Sequence, residues 1–150
     1  MKITNISVER FRTKGHTVAD VEGHGHPAAE PYETTSSLTR IRTDAGVDGI
    51  CLGGSAAAID GIIKPLLVGR DPFFREAIWQ AMNERQRLHK GTLSDRIMAT
   101  VDMALWDLAG KALGLPVYKL LGATRTKVPA YASTMCGDDL KGGLSTPEEY

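Results

Sequence analysis

Three groups of residues have the types and spacing to do chemistry. Glu22-Gly23-His24-Gly25-His26-Pro27 places two imidazoles two residues apart beside a carboxylate. Such a pair suits a borderline metal ion, but no third ligand has a known position, and structural or catalytic metal sites need at least three protein ligands. From the residues alone, an exposed glycine-rich loop that merely tolerates both histidines is the better reading than a metal site. Cys51-Leu52-Gly53-Gly54 is the second group. Its paired glycines would let backbone approach a ligand closely, or would simply turn a strand into a helix. No basic partner stands near Cys51 to make its thiol nucleophilic. Asp102 and Asp107 form the third group. Five residues apart on a helix, they lie about 140° apart around its axis and cannot converge on one metal. Ion pairing of Asp107 with Lys111, four residues on, is the better reading.

The elements that must hold these residues can be read from periodicity. Ile97, Val101, Ala104, Leu105, Leu108 and Ala112 recur at steps of three and four, predicting a helix from Ser94 to Gly114. Ser94 serves as N-cap and Asp95 lies in the first turn, while Gly114 and Pro116 end the helix. Before it, strands are expected at Ile3–Phe11, Ser36–Thr43 and Val47–Leu52. Asp44-Ala45-Gly46 would join the last two as a hairpin loop. Together they make an antiparallel meander. The segment from Thr13 to Thr35, with three histidines and few large apolar residues, reads as a long loop.

A short helix is expected from Ser55 or Ala56 to Ile63, stopped by Pro65. A second should open with Asp71 as N-cap and Pro72 at N1, burying Phe74, Ile78, Ala81 and Met82. Trp79 and Trp106 are assigned to the core. Gly49 and Gly110 are assigned to close packing. A last short helix covers Val117 to Leu121.

Val128 to Ser133 then reads as a strand standing alone. Thr146-Pro147-Glu148-Glu149 has the N-cap, N1 and N3 signature of a helix start. A strand followed by a helix start is the first unit of a parallel α/β domain. The expected organisation is therefore an α+β domain over 1–126, then the opening of a second domain over 127–150 that continues past Tyr150. A frayed tail is the alternative for that last segment.

Composition narrows the classes further. Basic and acidic residues balance at 18 each, giving a formal net charge of zero. That leaves no electrostatic argument for nucleic acid or an anionic membrane surface. The two cysteines, Cys51 and Cys136, have neither framework nor metal spacing and read as free thiols of a reducing, cytoplasmic setting.

Four phrases carry a resemblance. They are Thr43-Asp44-Ala45-Gly46-Val47-Asp48-Gly49, Pro65-Leu66-Leu67-Val68-Gly69-Arg70-Asp71-Pro72, Val101 to Lys111 (VDMALWDLAGK), and Gly114 to Gly122 (GLPVYKLLG). In this order and at these intervals they resemble the N-terminal part of an enolase-superfamily enzyme of the mandelate racemase / muconate lactonizing type, over Lys2 to about Ser133. The resemblance implies an α+β capping domain, a three-stranded antiparallel meander plus helical bundle. The start of a TIM-like (β/α) barrel would follow.

It also implies an enzyme that removes the proton α to a substrate carboxylate, with Mg2+ and the base both held by the barrel. No catalytic residue and no metal ligand is expected within this chain. Two capping segments would reach the barrel mouth: Gly15 to Tyr32, with His24, His26 and Tyr32 facing substrate, and Cys51 to Ser55, with Cys51, Gly53 and Gly54. Tyr32 could equally pack on the strand beside it. Tyr131 and Ser133, near the end of the first barrel strand, would face the same site or the barrel core.

The polar lid favours a sugar-acid or hydroxy-acid dehydratase. A racemase, epimerase or cycloisomerase of the same family is the alternative, and a non-catalytic binding or assembly module the alternative of another class. The full-length protein is expected to act on a small-molecule carboxylate as a homo-oligomer, without nucleic-acid or membrane partners.

Overall fold

The structure is a computed structural model and describes residues 1–15 and 32–130. The chain divides into two compact units. One comprises Met1–Phe11 with Ser36–Thr124, the other Arg12–Thr35 with Arg125–Tyr150. In the second unit the described side chains include an exposed Arg12–Glu33 ion pair at 3.4 Å.

Strands β1 (Ile3–Gly15), β2 (Tyr32–Thr43) and β3 (Gly49–Leu52) form one sheet in that order. β2 and β3 pair antiparallel, with Leu38 opposite Leu52 and Ile41 opposite Gly49. Arg42 reaches Ser7 while Arg40 reaches Glu9, so β1 and β2 also run in opposite directions. The expected meander is present. Its first two strands run further than their apolar alternation indicates, to Gly15 and from Tyr32. Polar stretches such as Thr34 to Ser37 pair through backbone, which pattern-reading of side chains does not register. The hairpin turn is as expected, with Gly46 at φ 73° and its N–H donating to the Thr43 carbonyl.

Helix α1 (Ala56–Ala58) passes into a π-helical turn, Ile59–Ile63, and then into α2 (Lys64–Leu67). Pro65 therefore does not stop the helix. In an α-helix its ring would collide with the carbonyl four residues back. The Lys64 N–H instead bonds to the Ile59 carbonyl, five residues back, and this wider turn gives the ring room. Asp71 is not the cap of the next helix either. Its carboxylate accepts the Phe73 N–H at 2.9 Å and closes a separate turn, and α3 begins one turn later (Arg75–Leu88). Ile78 and Met82 of α3 are buried as expected, whereas Phe74 and Trp79 are exposed. Trp79 is thus not a core residue. Trp106 is half-buried, with the Arg75 guanidinium 3.7 Å above its ring.

Helix α4 (Asp95–Leu113) occupies the span expected for it and ends at Gly114, φ 64°. Val101, Ala104, Leu105 and Leu108 are buried. Ala112 is exposed, and Met98 and Ala109 take core positions instead. The stripe drifts because 3.6 residues per turn displaces a strict three–four repeat along a long helix. Ile3, Ile6 and Ile41 of the sheet, Ile59, Ile63 and Leu67, and Ile78 and Met82 complete one core around α4. A last short helix, α5 (Val117–Leu120), follows Pro116. Gly110 leaves room for it, since a Cβ there would sit 2.9 Å from the Leu115 carbonyl oxygen.

Candidate functional site

The candidate segment is Cys51 to Ser55, where β3 ends. β3 is the edge of the sheet, and three features hold its end. The Gly53 N–H donates to the Ser37 carbonyl at 2.7 Å, continuing the ladder one step past the strand. The buried Thr39 hydroxyl donates to the Gly53 carbonyl at 2.9 Å. Gly53 and Gly54 then adopt φ of 101° and 121°, where an L side chain is strained. At Gly54 a Cβ would also overlap the Thr39 hydroxyl. Both glycines are therefore needed to turn the chain into α1.

Cys51 lies half-buried beside α4. Burial, then the Asp107 carboxylate, push its thiol above the usual range, so it stays protonated and is no nucleophile at neutral pH. Leu52 points outward and is 70% exposed. With Ile50 it borders an open groove of about 790 Å3, whose other wall is formed by Arg96, Ala99, Met103 and Trp106 of α4. This groove is apolar in the main. It can shape a surface and exclude water, but it presents no free general base, because the one carboxylate on its wall is already engaged. Asp107 accepts the Ile50 N–H at 2.8 Å and the Lys111 ammonium at 2.6 Å. The Asp107–Lys111 pair expected from their spacing is present, and its link to the β3 backbone is additional.

Asp102 faces elsewhere, toward Arg75, Glu76, Trp79 and Trp106. Burial raises its carboxyl above the usual range, opposed by the Arg75 charge and the Trp106 indole N–H. On the outer face of the sheet Arg40 bonds Glu9 through Nε at 2.8 Å and Nη2 at 3.1 Å, and Arg42 and Asp48 join the network. These arginine bonds hold the Glu9 carboxyl below its usual range.

Cys51, Gly53 and Gly54 are thus brought together at one strand end. Tyr32 is the first residue of β2. His24, His26, Tyr131 and Ser133 lie outside the described residues. Among the described residues no three His, Cys, Asp or Glu side chains meet in a way that could hold a metal ion. None of the described helices is long and apolar enough to cross a membrane. Thr39, which bonds Gly53, and Asp107, which bonds Ile50 just before the segment, carried no sequence signal of that role. Only Gly49, a glycine within a strand, pointed to a close approach there.

The chain is similar to known proteins in sequence and in fold. Residues 17–122 match the N-terminal domain of the mandelate racemase / muconate lactonizing enzymes. A D-galactonate dehydratase family member from Pseudarthrobacter chlorophenolicus is 37% identical over 123 residues, covering 74% of this chain and 30% of the relative. A D-mannonate dehydratase from a Sphingomonas species is 42% identical over 100 residues, covering 61% of this chain and 25% of the relative. Among solved structures, a D-glucarate dehydratase from Agrobacterium tumefaciens complexed with magnesium superposes with a TM-score of 0.80 at 42% identity. That match covers 99% of this chain and 40% of the other. The chain therefore spans less than half the length of each of these relatives.

Proposed function

The chain belongs to the mandelate racemase / muconate lactonizing enzyme family, whose N-terminal domain residues 17–122 match, and from that premise we propose that it is the capping domain and barrel start of a cytoplasmic, magnesium-dependent sugar-acid dehydratase. The observation that carries this reading is the superposition of nearly the whole chain on a D-glucarate dehydratase. Relatives named for D-galactonate and D-mannonate dehydration support the same substrate class, the polyhydroxy monocarboxylic and dicarboxylic acids.

The reaction removes the C2 hydrogen as a proton and the C3 hydroxyl as water. The resulting enol tautomerises to a 2-keto-3-deoxy acid. A proton next to a carboxylate is very weakly acidic, so such a step needs a base and stabilisation of the developing negative charge. The described residues include no cluster that could hold a metal ion, so this reading takes the base and the metal site from beyond them. Both belong, in this reading, to a barrel domain that opens at 127–150, after a capping domain at 1–126. The capping residues have a different task. Segment Cys51–Ser55, with Gly53 and Gly54 at its turn, and segment Gly15–Tyr32, with His24, His26 and Tyr32, cover the substrate and select among sugar acids. Tyr131 and Ser133 contact substrate from the first barrel strand.

The test uses the full-length protein with D-mannonate, D-galactonate and D-glucarate. Formation of a 2-keto-3-deoxy acid from at least one of them, abolished by chelation and restored by Mg2+, is the expected result. In D2O, deuterium exchange at C2 with retention of the C3 hydroxyl would instead indicate an epimerase or racemase. No turnover and no exchange with any of these acids would overturn the reading.

A further inference from the structure

Segment Asp48–Gly53 lies along one face of α4 in a fixed antiparallel register. The Lys111 ammonium donates to the Asp48 carbonyl at 3.2 Å. Gly49 presses on Ala104 and Leu108, where an added Cβ would sit 2.6 Å from the Leu108 Cβ. Ile50 donates its N–H to Asp107. The position of a Cβ on Gly53 would lie 3.5 Å from the Thr100 hydroxyl. As the strand advances from 48 to 53, its partners on the helix recede from 111 to 100. Five strand steps span about 17 Å, and eleven helical steps about 16 Å. The two elements are commensurate over this stretch, so one registration satisfies all four contacts.

The contacts differ in kind. Those of Gly49 and Gly53 are apolar or van der Waals and carry little direction. The Ile50 N–H belongs to the open edge of the sheet. The ladder alternates, and Gly53 already donates inward to Ser37, which leaves Ile50 facing out. Asp107 captures this outward donor with an ionised acceptor that Lys111 holds in place. A charge-assisted bond of this kind is stronger and more directional than a neutral one. It acts one residue before Cys51.

We propose that Asp107 is a positioning residue: by pinning Ile50 of β3 to α4 it fixes where Cys51–Gly54 stand and so sets which sugar acid the enzyme prefers. This rests on the reading that Cys51–Gly54 faces substrate. Asp107 itself touches no substrate, and its effect travels through the β3 backbone.

The experiment measures kcat/KM of the full-length enzyme for D-mannonate, D-galactonate and D-glucarate. Asp107→Leu should change the ratio between two of these acids by about tenfold or more, the scale set by displacing a binding group by a fraction of an ångström to one ångström. Asp107→Asn keeps an acceptor for the Ile50 N–H and should restore most of the original ratio. A purely structural role predicts an equal loss on all three acids in both variants, and that result overturns the proposal. If Asp107→Leu is insoluble, Lys111→Met, which removes one half of the clamp at an exposed position, should shift the ratio by a smaller factor. An unchanged ratio there overturns the proposal as well. Leu52→Ala separates the two layers of the argument. If it leaves the ratio unchanged, Cys51–Gly54 does not face substrate and the underlying reading fails. If it moves the ratio while Asp107 and Lys111 variants do not, only the role of Asp107 fails.

Discussion

The two sides of the sheet in the larger unit are held by different forces. On the inner side Ile6, Thr39, Ile41 and Thr43 are buried, and Gly49 has no space for a side chain. Here the limit is steric, and packing density near that of a crystal transmits any added atom into the helix backbone. On the outer side Glu9, Arg40, Arg42 and Asp48 are linked by ion pairs whose side chains keep about a quarter to two fifths of their surface in water. Water competes with each of those bonds, so the network adds little to stability. The inner side fixes the position of β3 relative to α4. The outer side can change composition without moving it.

This contrast can be broken at one residue. Gly49→Ala forces a Cβ into the Ala104 carbonyl and Leu108, both backbone-anchored, and should cost about 3 kcal/mol in urea unfolding. A cost near zero would show that α4 moves freely from the sheet. The same substitution at Gly46, in the adjoining turn, meets no atom within 4 Å but keeps a left-handed φ of 73°. It should cost about 1 kcal/mol, from backbone strain alone. The difference between the two measures the packing term.

Arg40→Met on the outer side should have the smallest effect of the three, and its pH dependence sharpens the contrast. The folded Glu9 carboxyl is held below its unfolded value, chiefly by the Arg40 bonds. Its contribution is therefore present above the ordinary glutamate value of about 4.3 and lost as pH falls through the lower folded value. The stability gap between wild type and Arg40→Met should close on acidification. The Gly49→Ala deficit should persist there, and a gap for Arg40→Met that also persisted would mean packing rather than charge.

Much of this fold was legible because its signals are local. The α4 span from Ser94 to Gly114 follows from apolar spacing and a left-handed glycine, although the Ser94 side chain at the N-cap position makes no capping hydrogen bond. The Asp107–Lys111 pair follows from a four-residue separation. The hairpin at Asp44-Ala45-Gly46 follows from turn chemistry. Pro65 misled because the π-helical turn that accommodates it depends on Lys64 bonding to Ile59, and no propensity encodes that. Trp79 misled because a large apolar side chain names a preference for burial, while exposure depends on which face of α3 meets the core. For the candidate site, Cys51, Gly53 and Gly54 could be singled out from the glycine pair and from family resemblance. The groups that anchor this segment, Thr39 at Gly53 and Asp107 at Ile50, could not, being 14 and 57 residues away along the chain.

The sequence by itself determined the family, the meander-plus-helix composition of the capping region and the pairing of Asp107 with Lys111. Those follow from periodicity, spacing and turn residues, each read within a few positions of the chain. Only the tertiary structure decided that Asp107 reaches the Ile50 backbone, that Gly49 is closed off by α4 and that the two elements share one register. Such contacts depend on how a strand rise of about 3.4 Å and a helix rise of about 1.5 Å align once packed. That alignment is a property of the assembled core and of no single segment.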